Sequence, residues 1–151
     1  MKIITRINVV AGATALVFAA ATPAMAASYY SRTHPLKAYQ DGTAQAEMYG
    51  TFSFDEHTYL RNDTVQRDPR PGGDAVFERT KYYYDYHDGE NWRYSNTDQG
   101  PKTTSSSWYS QYDHDAFHDG AYSGLMKTQV CEDHGIWRDP CSAWPQQSYT
   151  R

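Results

Sequence analysis

The amino-acid sequence predicts an all-β protein, a single-domain antiparallel β-sandwich with one C-terminal disulfide. Short runs of alternating apolar and polar residues are separated by Gly, Pro, Asp-Gly and Ser clusters, a pattern typical of sandwiches and barrels. The chain contains fourteen Tyr and four Trp, and aromatic rings pack well on pleated strands. After the first segment, no stretch shows the three- and four-residue apolar spacing of a helix.

That first segment, residues 1–26, has the features of a secretory signal peptide. A basic start (Lys2, Arg6) precedes an apolar run over 7–21, and Ala24-Met25-Ala26 is a small-x-small cleavage pattern. The apolar run is short for a transmembrane helix, and no later segment is apolar enough to span a bilayer. We therefore predict a secreted, extracellular protein whose mature form has no membrane span.

The two cysteines, Cys131 and Cys141, lie ten positions apart. They allow three interpretations: a disulfide, half of a metal site, or two free thiols. Zinc sites use cysteines two to four residues apart together with a second pair of ligands, which this sequence lacks. The predicted export to an oxidising compartment favours the disulfide. Closing so short a loop is expected to contribute about 2.5–3 kcal/mol of stability.

Residues 27–43 are predicted to be a flexible N-terminal arm, because they lack periodicity and contain Pro35 and Asp41-Gly42. Residues 44–151 are predicted to form the sandwich domain. The clearest alternation begins at Ala44, and Gly50 within it indicates a bulge or a close backbone approach. Asp88-Gly89 is a hairpin signal. The predicted strands cover 44–54, 58–66, 75–86, a return strand carrying Trp92 and Tyr94, 103–112 and 121–132.

The charge balance argues against nucleic acid as a partner. The whole chain has a formal net charge of −4, and removal of residues 1–26 leaves twelve basic and eighteen acidic residues. A nucleic-acid-binding domain usually has the opposite sign, with its basic residues clustered on one face. Here the basic residues are scattered singly.

The predicted loop over 113–120 is the densest polar stretch, and it holds Asp113, His114, Asp115, His118 and Asp119. Three carboxylates on a flexible loop could bind calcium. The stretch departs from the EF-hand pattern, since a Phe stands at its fifth position and a Gly at its eighth. Its two histidines suit a transition metal only if the loop is helical. The favoured interpretation is a solvated hairpin loop whose acids form local turns, and no cofactor is predicted.

The disulfide loop contains Glu132, Asp133 and His134, with Trp137 and Asp139 beyond them. A pinned loop with His and carboxylates can support acid–base chemistry. The alternative is a loop whose Trp closes the end of the sandwich. There is no nucleophile elbow and no phosphate-binding glycine loop. We therefore predict no catalytic residues, and a non-enzymatic role is favoured over a small hydrolase using His134 or His118 with a carboxylate.

Exposed aromatic rows can bind sugar faces or a protein partner. The candidate ligand contacts are Tyr83, Trp92, Tyr94, Trp108 and Tyr109. The alternative is that these rings belong to the core, because the chain is poor in aliphatic residues. Asn62-Asp63-Thr64 matches the acceptor pattern for N-glycosylation, which matters only in a eukaryotic secretory route.

Several segments resemble small secreted proteins of actinobacteria, described as predicted β-sandwiches of unknown function. They are Gly50-Thr-Phe, Asn62-Asp-Thr-Val, Gly73-Asp-Ala-Val and Val130-Cys-Glu-Asp followed by Asp139-Pro-Cys-Ser-Ala-Trp144. The chain lacks the additional cysteines that several such proteins carry, and the resemblance implies no catalytic residues. The chain also resembles, more distantly, bacteriocins of the lactococcin 972 type. We expect an extracellular binding or structural module whose partner is a glycan or a protein, with a bacteriocin-like inhibitor as the alternative.

Overall fold

The computed structural model describes residues 25–55, 58–87, 91–135 and 138–151. Within these ranges the chain forms nine β-strands, and no helix there is able to cross a membrane. Most of the predicted signal peptide, the predicted Asp88-Gly89 turn and Trp137 lie outside the described residues. The strands are β1 (Met25–Tyr29), β2 (Leu36–Gln40), β3 (Thr43–Asp55), β4 (Tyr59–Arg67), β5 (Val76–Asp85), β6 (Arg93–Gln99), β7 (Tyr109–Ala116), β8 (Ser123–Glu132) and β9 (Gln146–Thr150).

Two antiparallel sheets pack face to face. The first has the order β1-β3-β4-β7, and β2 also pairs with β3. β1 and β2 share one edge of β3, β1 along residues 50–54 and β2 along residues 43–48. The second sheet has the order β6-β5-β8-β9. One buried cluster draws side chains from both sheets, which confirms the predicted all-β sandwich.

β3 follows the predicted alternation, because one of its faces lies on the core. At Gly50, a Cβ atom would lie 2.2 Å from the carbonyl oxygen of Asp63 and 2.5 Å from the hydroxyl oxygen of Tyr29. The predicted close backbone approach is therefore confirmed, and only glycine fits between these groups. The core-facing side chains of β3 are at most 1% exposed, and they are Ala46, Met48, Phe52 and Phe54.

The predicted flexible arm over 27–43 is wrong, because this segment contributes β2 and most of β1 to the first sheet. Tyr29, Leu36 and Ala38 are buried in the common core. The two strands have only five residues each, too few to show a clear alternation in the sequence. Pro35 precedes β2, and Asp41 and Gly42 form the positive-φ turn into β3.

The predicted loop over 113–120 is wrong in its first half, because β7 continues through Ala116 and pairs with β4 along its length. Residues 103–108 lie outside β7, although they were predicted as strand. Asp113 and Asp115 are half-buried, whereas Tyr112 and His114, which alternate with them along the strand, are exposed. The inward face of β7 is therefore the polar one, which reverses the usual pattern of a sandwich strand.

The other predicted strands are confirmed with shifted ends, as β4, β5, β6 and β8. β9 was not predicted. The expectation of an aromatic core is confirmed by β5, where Tyr82 and Tyr84 are at most 1% exposed. Burial raises the pKa of both phenols, and nearby carboxylates add to the shift. Both therefore remain neutral at physiological pH.

A polar layer lies between the sheets beside this aromatic core. The Tyr29 hydroxyl donates to Asn62 Oδ1 at 2.9 Å, and Asn62 Nδ2 donates to Thr80 Oγ1 at 2.7 Å. Burial raises the pKa of Glu78 well above its usual value, and Asp113 raises it further. Asn62 is fully buried, so the folded protein does not offer it for glycosylation.

The predicted disulfide between Cys131 and Cys141 is confirmed. Beyond it the chain runs back along β8. The amide of Glu132 donates to the carbonyl of Pro140 at 3.1 Å, and the amide of Thr128 donates to the carbonyl of Pro145 at 3.1 Å. The disulfide therefore fixes residues 138–145 against the edge of the second sheet, ahead of β9.

Candidate functional site

The outer face of the second sheet combines aromatic rings with cations. Tyr83 of β5 pairs across the ladder with Tyr94 of β6, and their ring centroids lie 5.8 Å apart in an edge-to-face arrangement. Tyr94 is 59% exposed. Both residues were predicted as ligand contacts, and the structure places them side by side on one surface.

One rung further along the same face, Lys81 of β5 lies directly opposite Lys127 of β8. The Lys127 Nζ atom lies 5.2 Å from the centroid of the Tyr83 ring, and the Lys81 Nζ atom lies 4.9 Å from that of Trp144. Among the described residues, neither ammonium group has a carboxylate oxygen within 4.0 Å. Like charges placed directly opposite each other destabilise a sheet, and a ring contact to each ammonium group opposes this effect.

The next rung places Arg79 on the same face, with its guanidinium 3.7 Å from the Asp139 carboxylate. A concavity of about 720 Å³ lies beside it, between the sheet and the disulfide-bound segment that carries Trp144. We define the lysine face as this set of six residues: Arg79, Lys81, Tyr83, Tyr94, Lys127 and Trp144. Four of them were missed in the sequence, because only the strand register shows that Lys81 and Lys127 are neighbours.

The outer face of the first sheet also has cations over rings, but its cations are paired with acids. The Glu47 carboxylate binds Lys37 Nζ at 3.0 Å and Arg67 at 2.6 Å. Burial alone would raise the pKa of Glu47, but the hydrogen bonds from Arg67 and Lys37 lower it overall. Arg61 holds Asp63 at 2.7 Å. We define the paired face by these residues: Lys37, Glu47, Arg61, Asp63 and Arg67.

The remaining predicted aromatic contacts do not join the lysine face. Trp108 lies on the first sheet, edge-to-face with Tyr49 and 4.5 Å beneath the Arg67 guanidinium. Tyr109 is exposed at the start of β7. Trp92 borders a shallow concavity just before β6. The five candidates are therefore spread over both sheets, and Tyr83 and Tyr94 alone share a surface with unpaired lysines.

The structure does not bring together the five predicted metal ligands of residues 113–119. Asp113 and Asp115 face the buried polar layer, and the exposed His114 ring lies 5.5 Å from that of Tyr59 on the outer face. His118 stacks on Tyr84, at a centroid distance of 4.0 Å. Asp119 is exposed. Among the described residues, no metal-competent group of three includes any of these five.

The disulfide loop does bring His134 close to carboxylates. Its Nε2 atom lies 2.8 Å from Glu132 Oε2 and 3.7 Å from Asp74 Oδ2. The hydrogen bond with Glu132 raises the pKa of His134. Asp133, by contrast, pairs with Lys102 and is not a member of this group. The sequence indicated His134 and Glu132, but not Asp74, which precedes β5.

A groove of about 670 Å³ opens beside this group, and it is bordered by Gln45 of β3 and Arg70 and Pro71 of the β4–β5 connection. Asp74, Glu132 and His134 line the same groove. The groove belongs to the end of the sandwich, whereas the lysine face occupies the flat of the second sheet. The two sites therefore differ in position and in chemistry.

Comparisons with protein-family models, with curated proteins and with solved structures found no match to this chain. The resemblance to secreted actinobacterial proteins and to bacteriocins therefore remains a prediction. The hydrolase alternative also remains a prediction, although His134 and Glu132 lie within hydrogen-bonding distance.

Proposed function

We propose that this protein is an extracellular binding module that holds an acidic polysaccharide on the lysine face. The observation that carries the proposal is the pair Lys81 and Lys127, directly opposite each other and without a carboxylate partner among the described residues. Like charges at directly opposed positions of neighbouring strands are unfavourable in the free protein. A bound anion would relieve their repulsion.

The rings next to the lysines favour a glycan over a small anion. Tyr94 and Tyr83 present aromatic surface beside Lys127, and aromatic side chains combine an apolar face with a polar tip. A sugar ring can pack on the aromatic surface while its carboxylate pairs with the adjacent ammonium group. Recognition on a flat, solvent-accessible sheet also suits a polymer, because the ligand can extend beyond the contact.

The predicted signal peptide and the disulfide support an extracellular location for this activity. Surfaces of bacteria and plants expose carboxylated polymers, so an acidic ligand is compatible with that location. The overall net charge of −4 opposes unspecific attraction to polyanions. Binding then depends on the local arrangement of the lysine face.

The test measures binding of the purified protein to polygalacturonate, with dextran as the neutral polymer, by affinity electrophoresis and calorimetry. We expect Lys81→Gln/Lys127→Gln to weaken polygalacturonate binding at least tenfold, and Tyr94→Ala to weaken it severalfold. The reasons are the loss of both ammonium groups in the first variant and of the exposed ring in the second.

The matched controls lie on the first sheet and near it. Tyr112→Ala removes a ring that is 58% exposed, against 59% for Tyr94. Arg32→Gln/Arg61→Gln removes two positive charges away from the lysine face. Equal losses in these controls, or equal binding of dextran, would overturn the proposal. Equally tight binding of single-stranded DNA would show a general polyanion site and would overturn the glycan assignment.

A further inference from the structure

We propose that Asp74, Glu132 and His134, together with Gln45, bind one divalent transition-metal ion, zinc or manganese. This site lies in the groove at the end of the sandwich and is independent of the lysine face. It also differs from the candidate metal ligands that the sequence offered in residues 113–119.

The three charged residues already have nearly the required spacing. One imidazole nitrogen and one oxygen from each carboxylate lie within 4.8 Å of one another. A zinc ion binds such atoms at about 2.0–2.2 Å, which places neighbouring ligand atoms roughly 3.3–3.5 Å apart. The His134–Glu132 hydrogen bond of 2.8 Å must open and the 3.7 Å separation between His134 and Asp74 must shorten slightly. Metal binding therefore requires small rotations of these side chains.

The donor types favour a transition metal. Imidazole nitrogen and carboxylate oxygen suit zinc, and carboxylate and carbonyl oxygens suit manganese. Calcium and magnesium prefer sites made of oxygen alone. A single histidine with two carboxylates therefore selects an intermediate ion.

A second observation points to a ligand in the same place. Gln45 is 8% exposed and borders the groove, yet its side-chain amide has no hydrogen-bond partner among the described residues. Neither of its amide atoms is an enclosed atom without a partner, so the amide is open to a ligand in the groove. A bound ion would give the Gln45 carbonyl oxygen a partner that the protein itself does not supply.

The backbone around these residues is held by the fold. Glu132 pairs with Val76, and the adjacent Cys131 is fixed by the disulfide. The amide of His134 donates to Asp139 Oδ1 at 3.1 Å. Two strand ends and one pinned loop therefore present the ligands together, and binding requires little ordering of the chain.

The experiment titrates the purified full chain with zinc chloride and, separately, manganese chloride by calorimetry, and follows the melting temperature. We expect one ion per chain and a melting temperature that rises with metal concentration. Asp74→Asn and His134→Gln should each weaken binding at least tenfold. The Asp74 side chain is 57% exposed, so its variant tests the site without disturbing the core.

Asp133→Asn and His114→Gln are the matched controls, because they remove a carboxylate and an imidazole outside the group. They should bind metal as the unmodified protein does. The proposal is overturned if neither ion binds saturably, if Asp74→Asn and His134→Gln bind unchanged, or if the controls lose binding equally. A preference for calcium over zinc and manganese would also overturn it.

Discussion

The two outer faces of the sandwich carry similar residues but differ in whether their positively charged side chains are paired with carboxylates. On the paired face, Arg61 and Arg67 lie over the rings of Tyr112 and Trp108, and each also binds a carboxylate. On the lysine face, Lys81 and Lys127 have the rings without the carboxylates. The presence of cationic side chains over aromatic rings therefore does not by itself indicate a binding surface in this protein. The missing counter-charge distinguishes the two faces.

The largest expected effect comes from cutting the disulfide that holds the border of the lysine face. Cys131→Ala/Cys141→Ala should lower the free energy of unfolding by about 2.5–3 kcal/mol, because the unfolded chain gains loop entropy. Urea unfolding at pH 7 measures this change. Trp144 lies on the released segment, so polygalacturonate binding should weaken as well.

Reduction of the unmodified protein is the control, and it should shift the urea midpoint by the same amount. An unchanged midpoint in both experiments would contradict the stabilising role of the disulfide. Full polygalacturonate binding by the destabilised variant would show that Trp144 does not contribute to binding. The binding surface would then consist only of the strand residues of the lysine face.

The next effect concerns the paired face. Glu47→Gln should lower the free energy of unfolding at pH 7 by about 1–2 kcal/mol, because one nearly buried carboxylate serves two cations. The folded pKa of Glu47 lies below its unfolded value, so this contribution is present above about pH 4.3. It is lost as the pH falls through the folded pKa. Urea unfolding at pH 7 and pH 3 measures both values.

Asp63→Asn is the control for Glu47, because the Asp63 side chain is 45% exposed. Exposed ion pairs contribute roughly 0–1 kcal/mol, so this variant should change stability little. If Glu47→Gln lost no more stability than Asp63→Asn at pH 7, the stabilising role of the Glu47 ion pairs on the paired face would be contradicted.

The smallest effect should have the opposite sign. Lys127→Gln is expected to raise the free energy of unfolding by about 0.2–0.5 kcal/mol, because it removes the repulsion from Lys81. The gain should disappear in 1 M salt, which screens exposed charges. Unfolding at low and high salt measures the difference. A loss of stability at low salt would show that the Tyr83 contact of Lys127 outweighs its repulsion from Lys81, and would contradict the contrast drawn between the two faces.

The sequence predicted a strand correctly where one face of the strand is apolar and the alternation of apolar and polar residues continues over many residues. β3 satisfies both conditions, and its alternation appears over eleven predicted residues. β7 does not, because its inward residues Gln111, Asp113 and Asp115 join a buried polar layer. Their partners, among them Glu78, come from a distant strand. The polar residues of β7 therefore gave this segment the sequence pattern of a solvated loop.

The candidate sites show the same limit. His134 and Glu132 are close in the chain, so the sequence could bring them together. Asp74 reaches them only because β5 pairs with β8 in the register that sets Val76 opposite Glu132. The same pairing sets Lys81 opposite Lys127. A strand shifted by one residue would turn these side chains to the other face of the sheet, and no local pattern specifies that register.

The burial of Asn62 affects the choice of host for producing this protein. Its amide nitrogen donates to Thr80 between the sheets, so an oligosaccharide attached there before folding would keep the sheets apart. A yeast or mammalian secretory pathway would modify the chain in competition with its folding. A bacterial periplasm oxidises cysteines and, without that modification at Asn62, is the better source of native material.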